Sequence, residues 1–186
     1  MSNFLETKLV DMKIPQFTEI VHDTRVRNGQ KGKIKGMEIA GQYAFDRSVS
    51  WLQGFGVAAN YTYVDANASR DTDTGATSCG YPGLSPQSYN GSVFFEDSKF
   101  QARVSYNWRN HFAVDCGGGS SMPRNRAAYG QTDASMRYNL TPSLALYADA
   151  INVGNTKVRE YGSNENQFLM LENDGRRFNF GVRMAF

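Results

Sequence analysis

The segment "RRFNFGVRMAF" (residues 176–186) decides the fold class. Small or polar residues alternate in it with bulky apolar residues, which are Phe178, Phe180, Val182, Met184 and Phe186. Because successive side chains of a strand point to opposite faces, the segment predicts a strand with one apolar and one polar face. Arg183 falls on the polar face, and a register slip of one residue would place it among the apolar side chains.

Composition narrows the class of protein. At 186 residues the chain is long enough for one domain or for a part of something larger, and its net charge of +2 predicts no nucleic-acid partner. A mean hydropathy of -0.52 and the absence of any 18-residue apolar run exclude a transmembrane helix but not transmembrane strands, because alternating strands average out in a hydropathy window. Residues 1–17 lack the pattern of an export signal, so an exported protein would need a beginning that precedes them.

The same alternation recurs along the chain, and no helical stripe of convincing length interrupts it. The pattern predicts an all-β fold. We expect strands at 16–24, 33–45, 54–66, 88–97, 99–109, 128–140, 143–153 and 176–186, with a less certain one at 4–13.

The lengths of the connections alternate as well. Short or moderate connections fall at 46–54, 96–99 and 140–143, and long ones at 67–87, 110–127 and 154–175. In an up-and-down strand order this parity puts the short turns at one end and the long loops at the other, as in outer-membrane barrels. A soluble barrel with an apolar interior would also alternate, but the strands of 10 to 13 residues are long for it.

Aromatic residues near the strand ends fit the girdles found at membrane interfaces. We assign this position to Tyr61, Tyr63, Phe94, Phe95, Tyr106, Trp108, Tyr138 and Tyr147.

Five segments in order carry a resemblance to a known family: 31–45, 54–66, 83–110, 128–155 and 175–186. They include Gly36 with Glu38, "YGQTDAS" (129–135), "INVGN" (151–155) and the "GRRF" terminus. Together they closely resemble the C-terminal barrel of TonB-dependent outer-membrane receptors. Each motif is weak alone, whereas five in order make a specific signal.

The resemblance implies an antiparallel transmembrane β-barrel wall, with residues 1–186 forming roughly the last eight strands of a 22-stranded barrel. The signal peptide, the TonB-binding box, the plug domain and the earlier strands would be absent. The implied activity is TonB-dependent uptake, across the bacterial outer membrane, of a scarce nutrient such as a ferric siderophore or an oligosaccharide. The implied partners are outer-membrane lipid, the TonB complex through the missing plug region, the barrel assembly machinery and a small-molecule ligand.

Two alternatives remain open at the level of sequence. One is a small eight-stranded outer-membrane barrel with a structural or passive role, and the other is a soluble β-barrel binding module. In either membrane reading the terminal strand, ending at Phe186, resembles the signal by which outer-membrane barrels are recognised for assembly.

No catalytic, cofactor or metal site is predicted, and we expect the protein not to be an enzyme. His22 and His111 lie far apart in sequence, no nucleophile elbow occurs, and "DTDTG" (71–75) lacks the remaining ligands of a calcium loop. Candidate ligand contacts in the loops are the aromatic and polar residues Tyr81, His111, Asn125, Tyr161 and Asn164.

Two further sets of residues carry expectations. Cys79 and Cys116 lie in long connections at the same end, which would face outside the cell, and we predict that they form a disulfide; the alternative is two unpaired thiols. Charged side chains on the polar faces suit a water-filled or plug-packed lumen, where they would mainly pair with one another: Glu38, Arg103, Asp133, Arg137, Asp149, Arg177 and Arg183.

Overall fold

The computed structural model describes residues 3–14, 17–28, 32–45, 50–68, 80–117 and 121–185. These contain thirteen strands and one turn of 3-10 helix, Ser50–Leu52. The strands are β1 (Asn3–Ile14), β2 (Phe17–Asn28), β3 (Gly32–Ala44), β4 (Phe55–Ala68), β5 (Gln87–Glu96), β6 (Phe100–Arg109), β7 (Phe112–Asp115), β8 (Arg124–Arg126), β9 (Tyr129–Thr141), β10 (Leu144–Ile151), β11 (Val158–Tyr161), β12 (Phe168–Glu172) and β13 (Arg177–Met184).

The strands form three antiparallel sheets. The largest has seven strands in the order β13-β10-β9-β6-β5-β4-β3, so neighbours in space follow one another along the chain apart from the short strands. β1 and β2 pair as a two-stranded sheet, and β12, β11, β8 and β7 form a four-stranded sheet, which we call the loop sheet. All nine predicted strands are present, including the less certain first one.

The loop sheet corrects the sequence prediction. Residues 110–127 and 154–175 were expected to be loops, yet they contain β7 with β8 and β11 with β12. These strands are three to five residues long, which is too short for alternation to show above background.

The connections of the seven-stranded sheet have the predicted parity. Residues 97–99 and 142–143 make tight turns at one end, and the long connections after β4, β6 and β10 lie at the other. In the first turn Asp97 Oδ1 accepts hydrogen bonds from the backbone N–H groups of Lys99 and Phe100, each at 2.7 Å. The bonds from Phe100 and Lys99 hold the pKa of Asp97 below its ordinary value.

The seven-stranded sheet is an open wall. β3 and β13 lie at its two edges and are not neighbours, so the strands that the structure describes do not close into a small barrel. The geometry therefore gives no support to the alternative of a closed eight-stranded barrel.

Strand register gives the wall one apolar face. Val57, Val93, Val104 and Ala134 are successive cross-strand partners from β4 to β9, so they lie in one row on the same face. Val104 is 52% exposed and Phe180 on β13 is 79% exposed. Within the described ranges only four apolar side chains are buried, so no second layer covers this face, which needs an external apolar medium.

Aromatic side chains flank the apolar face at both ends. Near the long loops Tyr89 stacks on Trp108 with ring centroids 4.9 Å apart, and near the short turns Phe55 meets Phe95 edge to face, also at 4.9 Å. The two rows are six residues apart along β4, from Phe55 to Tyr61, which corresponds to about 20 Å. This separation is similar to the apolar band of about 25 Å in outer-membrane barrels.

The opposite face is polar and charged, as predicted, but the seven charged side chains assigned to it, all of them described, form no ion pair with one another, so the predicted pairing was wrong. All seven charged side chains assigned to it from the sequence share this face by register, for example Arg103 opposite Ser135 and Arg183 opposite Ala145. Two aromatic assignments were wrong. Phe94 lies opposite Arg103 and Tyr147 opposite Arg137, so both belong to the polar face and not to the aromatic girdles.

Substitutions at two glycines should have opposite effects on stability. Gly54 has a φ of 88°, and an added Cβ would lie 2.9 Å from the carbonyl oxygen of Glu96, so Gly54→Ala should cost at least about 1–2 kcal/mol. Gly41 lies within β3 with no atom within 4 Å of an added Cβ, and Gly41→Ala should be neutral or stabilising by up to about 1 kcal/mol. Denaturant midpoints in detergent would measure both; equal midpoints for the two variants would contradict the geometry.

Candidate functional site

The long connections after β6 and β10 join into one structure above the wall. Each folds into a short hairpin, and β8 pairs with β11, where Glu160 lies opposite Arg126 and Tyr161 opposite Asn125. The backbone N–H of Ala127 extends the pairing by donating to the carbonyl of Arg159 at 2.9 Å. The two loops therefore form a single antiparallel sheet.

A buried carboxylate lies at the centre of the loop sheet. Glu160 is 1% exposed, and its two oxygens are held by different arginines. Arg124 Nη2 donates to Oε2 at 2.8 Å, and Arg126 Nη2 donates to Oε1 at 2.7 Å. Because a buried carboxylate without partners is costly, the two arginines are needed for β8 and β11 to stay paired.

The charges of this cluster shift its titration. Burial raises the pKa of Glu160, but the hydrogen bonds and positive charge of Arg124 and Arg126 outweigh burial and bring the pKa below its ordinary value. The pKa of the Arg124 guanidinium is raised by its hydrogen bond to Glu160. Burial raises the pKa of the neighbouring Tyr161 hydroxyl, which stays neutral at physiological pH.

The connection after β4 is tied to the same region through Arg109. The Arg109 guanidinium lies 4.0 Å from the ring centroid of buried Phe112, donates through Nε to Ser85 Oγ at 2.9 Å, and donates through Nη2 to the carbonyl of Gly83 at 3.0 Å. The N–H of Gly83 in turn donates to the carbonyl of Ala113 at 2.7 Å. All three long connections are thus linked to one another.

Asn152 anchors the base of the last long connection. It is 5% exposed and has a φ of 57°, a left-handed conformation that asparagine tolerates. Its backbone N–H donates to Asp133 Oδ1 at 2.9 Å, and its side chain bonds the backbones of Thr156 and Gly175. The "INVGN" motif therefore ends β10 and fixes where the loop leaves the wall.

The structure places the predicted disulfide only in part. Cys116 is 7% exposed, follows β7 and is disulfide-bonded. Cys79 lies outside the described residues, so its pairing with Cys116 stays a prediction.

The structure brings two of the five candidate ligand contacts together. Asn125 and Tyr161 are cross-strand partners in the loop sheet, and Tyr161 is buried while Asn125 Nδ2 donates to the carbonyl of Gly162 at 2.7 Å. His111 is exposed beside Asn110, Asn164 Oδ1 accepts from the N–H of Asn166, and Tyr81 packs against Gly32. Their role in ligand binding stays a prediction.

The sequence did not predict the residues that hold the long connections together. Glu160 is separated from its arginines by 34 and 36 positions, and nothing local marks it as buried. Asn152 did carry a signal, because it stands within the quoted "INVGN" motif, although its hydrogen bonds were not foreseen.

Three depressions follow the polar face from the long loops to the short turns. Their volumes are about 480, 530 and 420 Å³, within the range of about 300–1,000 Å³ that small-molecule sites occupy. The depression nearest the short turns is lined by Arg103, Arg137 and Arg183 together with Asp149.

The residues that the structure describes include no group of three or more His, Cys, Asp or Glu side chains able to hold a metal ion. Nor does any helix among them have the length and apolar character to cross a membrane.

Comparison with known proteins decides the family. A family model described as TonB dependent receptor-like, beta-barrel matches residues 2–153. The chain belongs to this family. Members of the family are transport receptors of the outer membrane.

Solved structures agree on the fold. The siderophore receptor PiuA from Acinetobacter baumannii aligns with a TM-score of 0.59 and 15% identity, over 82% of this chain and 22% of that one. The copper transporter OprC aligns with a TM-score of 0.62 and 17% identity, over 98% of this chain and 27% of that one. The chain therefore spans about a quarter of their length. No curated protein sequence matches the chain.

The loop sheet should loosen in acid. The native pKa of Glu160 lies below its ordinary value of about 4.3. The ionised Glu160 therefore stabilises the loop sheet fully above about pH 4.3, and this stabilisation is lost as the pH falls through the lowered native pKa. Hydrogen exchange at β8 and β11, corrected for intrinsic rates, should be slow at pH 7 and faster towards pH 3. Glu160→Gln should exchange rapidly at pH 7 with little further pH dependence. Equal protection of the natural protein at both pH values would contradict this role.

The disulfide can be tested by mass. Without reductant, a protease digest should contain one linked pair of peptides holding Cys79 and Cys116, and neither thiol should react with an alkylating reagent. Reduction should release both peptides and allow two alkylations. Two thiols that react freely in protein from an oxidising compartment would refute the pairing.

Proposed function

We propose that the chain forms part of the barrel wall of a TonB-dependent receptor that takes up a scarce nutrient across the bacterial outer membrane. The observation that supports this proposal most strongly is the exposed apolar face of the seven-stranded sheet, which has a row of aromatic side chains at each end. An alternating wall with charges on one side and apolar residues on the other suits lipid outside and a polar lumen inside.

The chain is proposed to be the C-terminal portion of the receptor barrel. Two features support a portion of a barrel over a whole one: the chain aligns with about a quarter of the two solved structures, and both edges of its seven-stranded sheet are open. In the whole receptor a plug region would fill the lumen and contact the TonB complex, which supplies the energy for uptake.

The linked long loops are proposed to face the cell exterior and to capture the ligand. Their connection through Glu160 and Arg109 favours a shared binding surface over independently moving loops. Within the family, ferric siderophores and oligosaccharides are both suitable ligands, and the exposed candidates His111 and Asn164 lie at this end.

The last strand is proposed to act as the assembly signal. Phe178, Phe180, Val182 and Met184 share the apolar face of β13, and the residue that completes the pattern, Phe186, lies outside the described residues. The barrel assembly machinery would recognise this strand before it inserts into lipid.

Uptake in living cells tests the transport role. Deleting the gene that encodes the chain should abolish uptake of its ligand among ferric siderophores and oligosaccharides, and removing the TonB complex should have the same effect. Unchanged uptake after both deletions would overturn the proposal.

A matched pair of substitutions tests membrane insertion directly. Val104→Arg places a charge on the apolar face and should cost about 2–4 kcal/mol if it lies near the bilayer midplane, lowering the amount of protein in the outer membrane. Ser105→Arg places the same charge on the polar face opposite Asp133 and should be tolerated. Equal amounts of both variants in the outer membrane would contradict a lipid-facing Val104.

A further inference from the structure

Four carboxamide side chains form one row across the polar face. Asn60 on β4 lies opposite Asn90 on β5, Asn90 opposite Asn107 on β6, and Asn107 opposite Gln131 on β9. With strands about 4.8 Å apart, the row is about 14 Å long. We call these four residues the carboxamide row.

Hydrogen bonds to the described residues use only a small part of the hydrogen-bonding capacity of the row. Asn90 Nδ2 donates to Asn60 Oδ1 at 2.7 Å, and Gln131 Nε2 donates to Asp133 Oδ1 at 2.9 Å. The Asn107 side chain makes no hydrogen bond to any residue in the described part of the chain and is exposed. Since each carboxamide offers two N–H donors and an oxygen with two lone pairs, the row presents both donors and acceptors to the lumen.

The row lies where two of the depressions meet. Asn90 and Asn107 line both the depression of about 480 Å³ on the long-loop side and the one of about 530 Å³ on the short-turn side. The first adds the Tyr129 ring, and the second adds the hydroxyls of Ser92 and Ser105. A ligand of several linked units could occupy both depressions at once.

The chemistry of the lining selects the ligand. Among the described residues, no Asp or Glu lines either of these two depressions, which disfavours a cation. An anion only accepts hydrogen bonds, so it would leave the carboxamide oxygens unmatched, whereas a hydroxyl group both donates and accepts. Of the two arginines present, Arg109 is held by its hydrogen bonds to Gly83 and Ser85, and Arg103 lies 5.1 Å from the Phe94 ring centroid.

We propose that the carboxamide row is a binding site for a neutral polyhydroxylated ligand, an oligosaccharide, on the lumen wall. The proposal rests on the proposed transport function and names its class of substrate. The main competitor for the site is a polypeptide segment filling the lumen, whose peptide groups also donate and accept.

Binding to the full-length product of the gene, purified in detergent, tests the proposal. Calorimetry would use a fixed panel of maltohexaose, cellohexaose, xylohexaose and mannohexaose, with citrate and copper(II) sulfate as anionic and cationic probes. We expect at least one hexasaccharide to bind, and the triple variant Asn60→Ala, Asn90→Ala, Asn107→Ala to weaken it roughly tenfold or more, since several hydrogen bonds are lost.

Two further single substitutions serve as controls for the triple variant. Asn179→Ala removes an exposed carboxamide on β13 that lies outside the row, and it should leave affinity within about twofold. If the triple variant assembles poorly, Asn107→Ala alone removes a side chain that makes no hydrogen bond among the described residues, and it should still weaken binding.

Three results would overturn the proposal. They are the absence of binding by every hexasaccharide, equal affinity of the natural protein and the variants within the carboxamide row, and preferential binding of citrate or copper. If the triple variant lowers thermal stability without any effect of sugars, a polypeptide occupies the row. In each of these cases, deleting the gene should still abolish TonB-dependent uptake. The uptake experiment therefore distinguishes failure of this inference from failure of the proposed transport role.

Discussion

The structure depends on the register of the seven-stranded sheet. In this register, residues that are paired across neighbouring strands point their side chains to the same face. The row of Val57, Val93, Val104 and Ala134 stays apolar across four strands, and the next residues along each strand face the other way. A slip of one residue in β6, β9 or β13 would move Arg103, Arg137 or Arg183, respectively, into the apolar face, where a charge is costly. The arginines therefore fix the register that the apolar residues suggest, and the open wall follows from consistent registers in successive strands.

The wall in turn sets the geometry of the loop end. β10 stops at Asn152, whose side chain and backbone bind Asp133, Thr156 and Gly175, so the last long connection starts from a fixed position. The neighbouring connection starts beside Arg109, and Glu160 joins the two through its arginines. A surface built this way presents one shape to a ligand, which suits recognition before transport. The carboxamide row below it would offer that ligand a second set of hydrogen bonds on its path inward.

The sequence alone predicted the long strands, their faces and the parity of the connections, because alternation over ten or more residues is a strong local signal. It did not predict the loop sheet, since β7, β8, β11 and β12 are too short to show a period. Glu160 was missed because its partners lie 34 and 36 positions away. Phe94 and Tyr147 were misassigned because an aromatic near a strand end serves equally well on either face, and only the register shows that they lie opposite Arg103 and Arg137.

The central claim is that the apolar face meets lipid and the polar face meets water. A spin label placed in turn at each position of β6, from Phe100 to Arg109, measures this most directly in lipid vesicles, with the native cysteines replaced by alanine. We expect oxygen dissolved in the membrane to reach labels at positions 102, 104 and 106, and a water-soluble nickel complex to reach those at 103, 105 and 107. Absence of this two-residue alternation, or its inversion, would contradict the account.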